Sequence, residues 1–136
     1  MTSTAEMIRT HPQPTDLDGA RLAEVIDQLE RCATTCTQCA DACLAEPDLS
    51  AELATCIRLD LDCADICETT ARVLARQTEL RHEFVRELLD ACVAACGACG
   101  DECAGHAEHM EHCRICAEEC RACRSACEEL RGLLAA

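Results

Sequence analysis

The sequence predicts an all-α fold: an antiparallel up-down-up-down four-helix bundle with a cysteine-lined core and a short N-terminal helical extension. The main observation is that cysteines recur in steps of four, three and four residues. An α-helix turns about 100° per residue, so these steps hold the thiols within roughly 60° of one helix face. Aliphatic residues continue each cysteine stripe at helical spacing. Short connections separate the long stretches, which makes consecutive helices antiparallel.

Asp60 marks the one break in the cysteine pattern. Complete copies of the pattern are Cys32, Cys36, Cys39 and Cys43; Cys92, Cys96, Cys99 and Cys103; and Cys116, Cys120, Cys123 and Cys127. The remaining stretch supplies Cys56, Cys63 and Cys67, and Asp60 occupies the missing position. We therefore expect the Asp60 carboxyl to point into the same core as the thiols. Cys113 precedes the last complete copy.

Residues 1–16 form a separate N-terminal extension in this interpretation. The segment from Ser3 to Glu6 fits a capping box, which predicts a short helix from Glu6 to Thr10. Pro12 and Pro14 then break that helix. The extension is expected to be peripheral to the bundle.

The bundle domain is expected over residues 17–136 and contains four long helices. The first should run over about 16–45 and the second over about 49–76, with Asp48 or Ser50 as its N-cap. The third follows the connection at 77–79 and ends at Gly105, a favourable C-cap residue. The fourth should cover about 108–133.

The helix directions sort the cysteines into four levels. We expect these levels to be Cys32, Cys67, Cys92 and Cys127; Cys36, Cys63, Cys96 and Cys123; Cys39, Cys99 and Cys120 with Asp60; and Cys43, Cys56, Cys103 and Cys116. Beyond the first level lie Leu22, Val25, Leu29, Leu74, Leu88 and Leu130. Beyond the fourth lie Cys113 and the segment with His106, His109, Met110 and His112. One end is thus sealed by aliphatic side chains, and the other is an open end lined by the histidines and Asp60, which are groups that take a metal ion from water.

Composition excludes several classes of protein. The chain has 16 Cys, one Phe and neither Trp nor Tyr, so the usual bulky core residues are nearly absent. Residues 1–19 lack the apolar region of a secretory signal, and no run of 18 apolar residues exists. We therefore expect a cytoplasmic protein, in which thiols stay reduced and serve metals or catalysis. The net charge of −14 argues against nucleic acid and anionic membrane partners and favours cations.

The thiol spacing favours binding of soft metal ions. Residues four apart on a helix have Cβ atoms about 5–6 Å apart, so two thiolates converge on one ion. Thiolates select Cu(I), Zn(II) or iron–sulfur clusters, but ferredoxin-type clusters use tighter cysteine runs than these. A buried Zn(Cys)₄ carries two negative charges, whereas each Cu(I) replaces one thiol proton and keeps the core neutral. Coordination logic then suggests a capacity on the order of one Cu(I) per cysteine, about 16.

The repeated Cys-x3-Cys-x2-Cys-x3-Cys helices, with segments such as Asp62-Cys63-Ala64-Asp65-Ile66-Cys67, resemble the bacterial four-helix-bundle copper storage proteins, the Csp family. The resemblance covers residues 17–134 and is to the cytosolic type. It implies storage and detoxification of Cu(I), loading through an open end, and a homotetramer of bundles. It also implies that the stripe cysteines are ligands and that His106 and His112, with His109 as a third candidate, line the entrance. Asp60 departs from the all-cysteine pattern.

Other interpretations remain open from the sequence. They are a zinc buffer and a thiol redox or disulfide-stapled structural bundle. Catalysis is not expected, because the thiols are redundant and no single nucleophile with a histidine base stands out. A cytosolic copper chaperone or an efflux system is a candidate partner, and the residues do not choose between them.

Overall fold

The described part of the chain folds into five α-helices joined by short connections. The structure is a computed structural model that describes residues 2–48 and 51–134, and only the backbone of residues 51 and 52. The helices are α1 (Ser3–Thr10), α2 (Gly19–Leu44), α3 (Ala51–Ala75), α4 (His82–Ala104) and α5 (Glu111–Leu133). Within this part of the chain, no helix is both long enough and apolar enough to cross a membrane.

Helices α2 to α5 form the predicted four-helix bundle. Helix α2 packs against α3 and α5, and α4 packs against the same two helices. An ion pair of 2.7 Å joins Arg21 at the start of α2 to Glu129 at the end of α5. Another of 3.0 Å joins Arg131 at the end of α5 to Asp90 near the start of α4. These pairs make α5 antiparallel to α2 and α4, and the sulfur contacts Cys56–Cys103 and Cys63–Cys96 make α3 antiparallel to α4. Neighbouring helices therefore run in opposite directions, which confirms the up-down-up-down topology.

Helix α1 is attached to the bundle by both polar and apolar contacts. Its N-cap is Thr2, whose hydroxyl accepts a hydrogen bond of 3.2 Å from the backbone N–H of Ala5. The predicted start at Glu6 is therefore wrong, because an N-cap at Thr2 begins the helix three residues earlier. Thr4 donates a 2.6 Å hydrogen bond to Asp27 of α2, and the side chain of Ile8 is buried.

Two helix starts in the bundle differ from the sequence-based expectations. Helix α2 begins at Gly19, since the Asp18 side chain caps it by accepting from the N–H groups of residues 20 and 21. Helix α5 begins at Glu111 and not near Glu108, so His109 lies in a connection. Gly105 does cap α4, with a right-handed φ of −65°. The predicted second-helix start at Leu49 and the Ser50 cap lie outside the described residues.

Aliphatic side chains seal one end of the bundle. The predicted residues Leu22, Val25, Leu29, Leu74 and Leu130 are at most 1% exposed. From α4 the buried residues are Val85 and Leu89, whereas the predicted Leu88 is only half-buried. Val85 and Leu89 continue the alternation of four and three residues that leads to Cys92, and Leu88 does not. We call this layer of seven residues the aliphatic end.

Candidate metal centre

All sixteen cysteines are free thiols buried in the bundle core. None of their side chains is more than 2% exposed, and every cysteine lies in the described part of the chain. The helical spacing produces this result directly, because steps of four and three residues keep returning each thiol to the inner face of its helix. The core therefore consists of sulfur over most of its length, with apolar packing reserved for the aliphatic end.

The sulfur atoms form a continuous network that crosses between helices. Cys56 and Cys103 approach to 3.5 Å, Cys36 and Cys120 to 3.6 Å, and Cys63 lies 3.7 Å from Cys96. Two thiolates bound to one ion at about 2.3 Å each are at most about 4.6 Å apart. These thiol pairs are thus already spaced to share an ion.

Several sets of four donors lie within 4.8 Å of one another. These sets include Cys32, Cys63, Cys67 and Cys96; Cys32, Cys36, Cys63 and Cys120; Cys36, Cys99, Cys116 and Cys120; and Cys39, Cys56, Asp60 and Cys103. The first two share Cys32 and Cys63, and the second and third share Cys36 and Cys120. Shared members mean that neighbouring sites use the same sulfur atoms, as expected when thiolates bridge metal ions.

The observed levels differ from the predicted ones along α2. Cys36 lies within 4.0 Å of Cys99, Cys116 and Cys120, which belong to the predicted third and fourth levels. Cys39 lies 3.9 Å from Cys113, beyond the predicted fourth level. The thiols of α2 therefore lie about one level nearer than predicted to the segment that carries His106, His109 and His112. Cysteine spacing determines which face is buried, but packing between helices determines how far one slides along another.

Asp60 points into the core as expected and is fully buried. Its Oδ1 accepts hydrogen bonds from the thiols of Cys99 at 3.0 Å, Cys116 at 3.2 Å and Cys103 at 3.5 Å. Burial away from water raises the pKa of Asp60 to about 7, and the Cys99 hydrogen bond opposes this rise. The position is inward of the histidines, so Asp60 is a core carboxyl and does not line the surface.

His112 is the histidine that reaches the thiols. Its Nδ1 lies 3.5 Å from the sulfur of Cys39 and 3.6 Å from that of Cys113. Its Nε2 lies 3.0 Å from Oε1 of Glu46, which follows α2. Together with Cys43, the donor atoms of Cys39, Cys113 and His112 lie within 4.8 Å of one another. We call these four residues the mouth tetrad.

The other two candidate histidines occupy different environments. The His106 side chain is 12% exposed, and its Nε2 lies 3.5 Å from Glu102 without hydrogen-bond geometry. His109 is exposed in the connection between α4 and α5. Met110 is half-buried and packs against the core. The three histidines thus lie at one end of the bundle, and His112 is in direct contact with the thiol network.

Burial favours the protonated form of two thiols of the mouth tetrad, those of Cys43 and Cys113. It raises the pKa of the Cys43 thiol and, together with the charge of a Cys43 thiolate, the pKa of Cys113 to about 12. A metal ion binds the thiolate form, so each ion must displace a proton as it binds. Binding at this end is therefore expected to release protons.

Two polar residues near the thiols were not identified from the sequence. Thr70 is fully buried, and its hydroxyl accepts a 3.2 Å hydrogen bond from the Cys92 thiol while donating to the carbonyl of Ile66. Thr70 lies three residues after Cys67 on the buried face of α3, so its burial could have been predicted from helical spacing. Glu46 lies in a connection, where side-chain periodicity indicates nothing.

Known proteins show the same architecture. The sequence model of the Csp copper storage proteins matches residues 18–132. The copper storage protein Ccsp from Streptomyces lividans, in a structure loaded with 10 copper equivalents, is 49% identical, with a TM-score of 0.92 over 96% of this chain and 98% of that chain. A structure of the cytosolic copper storage protein from Streptomyces lividans with five coppers is 53% identical, with a TM-score of 0.80 over 83% of this chain and 93% of that chain.

A relative from Bacillus subtilis (strain 168), the uncharacterized cysteine-rich protein YhjQ, is 38% identical over 99 residues, covering 73% of this chain and 85% of that protein. It shares the cysteine-rich character that dominates the core described above. The sulfur-lined bundle and the match over residues 18–132 together show that the chain belongs to the Csp family of copper storage proteins.

Proposed function

We propose that the protein stores Cu(I) in the cytoplasm and so limits its toxicity, with a capacity on the order of one ion per cysteine, about 16. The observation that carries this proposal is the continuous network of buried free thiols, which gives many equivalent soft donors and no single reactive group. The copper-loaded structures of the Streptomyces lividans protein support it, since that chain and this one share their architecture.

The charge balance of the core favours Cu(I) over a divalent ion in the interior. The thiols of Cys32, Cys63, Cys67 and Cys96 are at most 1% exposed. Zn(II) bound by four such thiolates leaves two negative charges in a region without water, which costs several kcal/mol per charge. A Cu(I) ion that replaces each thiol proton leaves the core neutral at every stage of filling.

Loading is proposed to begin at the histidine end, which is the end of the bundle opposite the aliphatic end. His106, His109 and His112 would take the ion from water and pass it to Cys113 and the other thiols of the mouth tetrad. Because Cys39 belongs both to that tetrad and to the set containing Cys56, Asp60 and Cys103, it offers the next inward step. Ions would then move between overlapping thiol sets toward the aliphatic end.

The storage proposal is tested by titrating reduced, metal-free protein with Cu(I) in competition with a strong Cu(I) chelator. We expect uptake to continue to about 16 ions per chain. Saturation at one or two ions would contradict it. Mass spectrometry of protein purified without reductant should show sixteen free thiols, whereas stable disulfides would favour the structural alternative.

The loading route requires a separate kinetic test. We expect replacement of His106, His109 and His112 by Ala to slow the first additions of Cu(I) while leaving most of the capacity intact. Unchanged rates of loading and release would contradict the route.

Assembly as a homotetramer and exchange with a cytosolic copper chaperone or an efflux system are further parts of the proposal. Light scattering of the purified protein measures the first, and copper transfer from a loaded donor protein measures the second.

A further inference from the structure

We propose that the mouth tetrad is a site for one Zn(II) ion, with Glu46 as the residue that orients its histidine. This assigns a divalent metal to the histidine end of the copper-free protein, and Cu(I) that enters by the proposed route would have to displace it. The donors are three thiols, from Cys39, Cys43 and Cys113, and Nδ1 of His112. A Cys₃His set is one of the common ligand sets of four-coordinate zinc sites.

The three distances among Cys39, Cys113 and His112 are close to those of a zinc tetrahedron. With Zn–S bonds of about 2.3 Å and a Zn–N bond of about 2.0 Å, the edges of a tetrahedron are about 3.8 Å for S–S and about 3.5 Å for S–N. The observed S–S distance between Cys39 and Cys113 is 3.9 Å. The distances from His112 Nδ1 to these sulfurs are 3.5 and 3.6 Å. Cys43 lies within 4.8 Å of the other three donors and completes the set.

Glu46 holds His112 in the form that a metal requires. Its Oε1 lies 3.0 Å from Nε2 of His112, so the ring donates its proton there and keeps the Nδ1 lone pair free. That lone pair faces the sulfurs of Cys39 and Cys113. Histidines that bind zinc commonly donate their other ring N–H to a carboxylate, which orients the ring and increases its basicity. The contact therefore prepares the ligand before any ion arrives.

The charge and exposure of the tetrad also separate it from the interior sets. Zn(II) with three thiolates and a neutral histidine carries one negative charge, against two for a set of four thiolates. The His112 side chain is 25% exposed, so water solvates part of this charge. The interior set of Cys32, Cys63, Cys67 and Cys96 has no such exposure. A divalent ion is consequently least costly to place at the histidine end.

The test uses zinc alone and does not depend on copper storage. Reduced, metal-free protein is given one equivalent of Zn(II), and X-ray absorption measures the ligand shell. We expect three sulfurs at about 2.3 Å and one nitrogen at about 2.0–2.1 Å. His112→Ala should remove the nitrogen, and Cys43→Ser should remove one sulfur. Cys127→Ser, beside the aliphatic end, is the matched control and should leave the shell unchanged. Four sulfurs in the parent protein, or a nitrogen retained in His112→Ala, would overturn the assignment.

Glu46 is tested through zinc affinity, measured by chelator competition. We expect Glu46→Ala to weaken binding by about 10–100-fold. Glu46→Gln should retain most of the affinity, because its amide oxygen still accepts the proton on Nε2. Glu102→Ala, which alters the neighbouring carboxylate at His106, controls for a general loss of negative charge. Equal effects of the two alanine variants would show that Glu46 acts only through its charge and would refute its orienting role.

Discussion

Replacing Asp60 by Asn should change how the stability of the empty protein depends on pH. The pKa of this carboxyl is raised from 3.8 to about 7, chiefly by burial. A carboxyl whose pKa is higher in the folded state favours folding when it is protonated, and this contribution is lost as pH rises toward the folded-state pKa. At about 1.4 kcal/mol per pKa unit, the complete difference corresponds to about 4 kcal/mol. Asn has nearly the same shape and does not titrate.

The measurement is urea unfolding of reduced, metal-free parent and Asp60→Asn protein across pH 4.5–7.5. Other carboxyl groups titrate equally in the two proteins, so the difference between their free energies of unfolding isolates Asp60. We expect the Asn variant to gain about 3 kcal/mol relative to the parent over this range. A difference that stays constant with pH would refute the reasoning and would mean that water reaches the carboxyl. Leu22→Ala in place of Asp60→Asn serves as a control, since it destabilises without introducing pH dependence.

Three further predictions concern packing and metal linkage. Gly97→Ala should raise the free energy of unfolding by about 0.5–1 kcal/mol, because the new Cβ meets only the mobile end of Arg124. Gly100→Ala should raise the free energy of unfolding by less, because the new Cβ would lie only 3.3 Å from the Cβ of Cys120. Thermal unfolding of both variants measures this difference. Leu130→Ala should lower the free energy of unfolding in urea by about 2–5 kcal/mol, because the side chain is fully buried. Leu133→Ala, at a site 55% exposed, should lower it by less than about 0.5 kcal/mol. Equal losses would contradict the apolar packing of the aliphatic end. Cu(I) loading should raise the melting temperature progressively, and an unchanged value in calorimetry would argue against binding in the core.

The burial pattern of the bundle could be predicted because it depends on local geometry. Steps of four and three residues return a side chain to the same helix face whatever the rest of the molecule does, so the burial of Cys92 and of Asp60 followed from spacing alone. The sliding of α2 along its neighbours could not be predicted in this way. It depends on how ridges of side chains fit between helices, and that fit placed Cys36 beside Cys99 and Cys120.

Helical periodicity predicted the positions of the residues at the histidine end less well than those in the core. His109 would lie close to the cysteine stripe on a helix begun at Glu108, but α5 begins at Glu111 and leaves it exposed in a connection. The same late start keeps His112 in the first turn, next to Cys113. Glu46 became recognisable only when the fold brought the end of α2 beside α5, since a contact across 66 positions leaves no local trace in the sequence.

The aliphatic end is the part of the bundle whose packing does not depend on bound metal. Its seven side chains and helix α1 pack without any ion, so one end of the bundle is held by ordinary hydrophobic burial. Many small metal-binding domains unfold on losing their metal and must refold around the next ion. We expect a bundle closed by leucine and valine to avoid that cycle, so that binding new ions requires the release of thiol protons but no refolding of the chain.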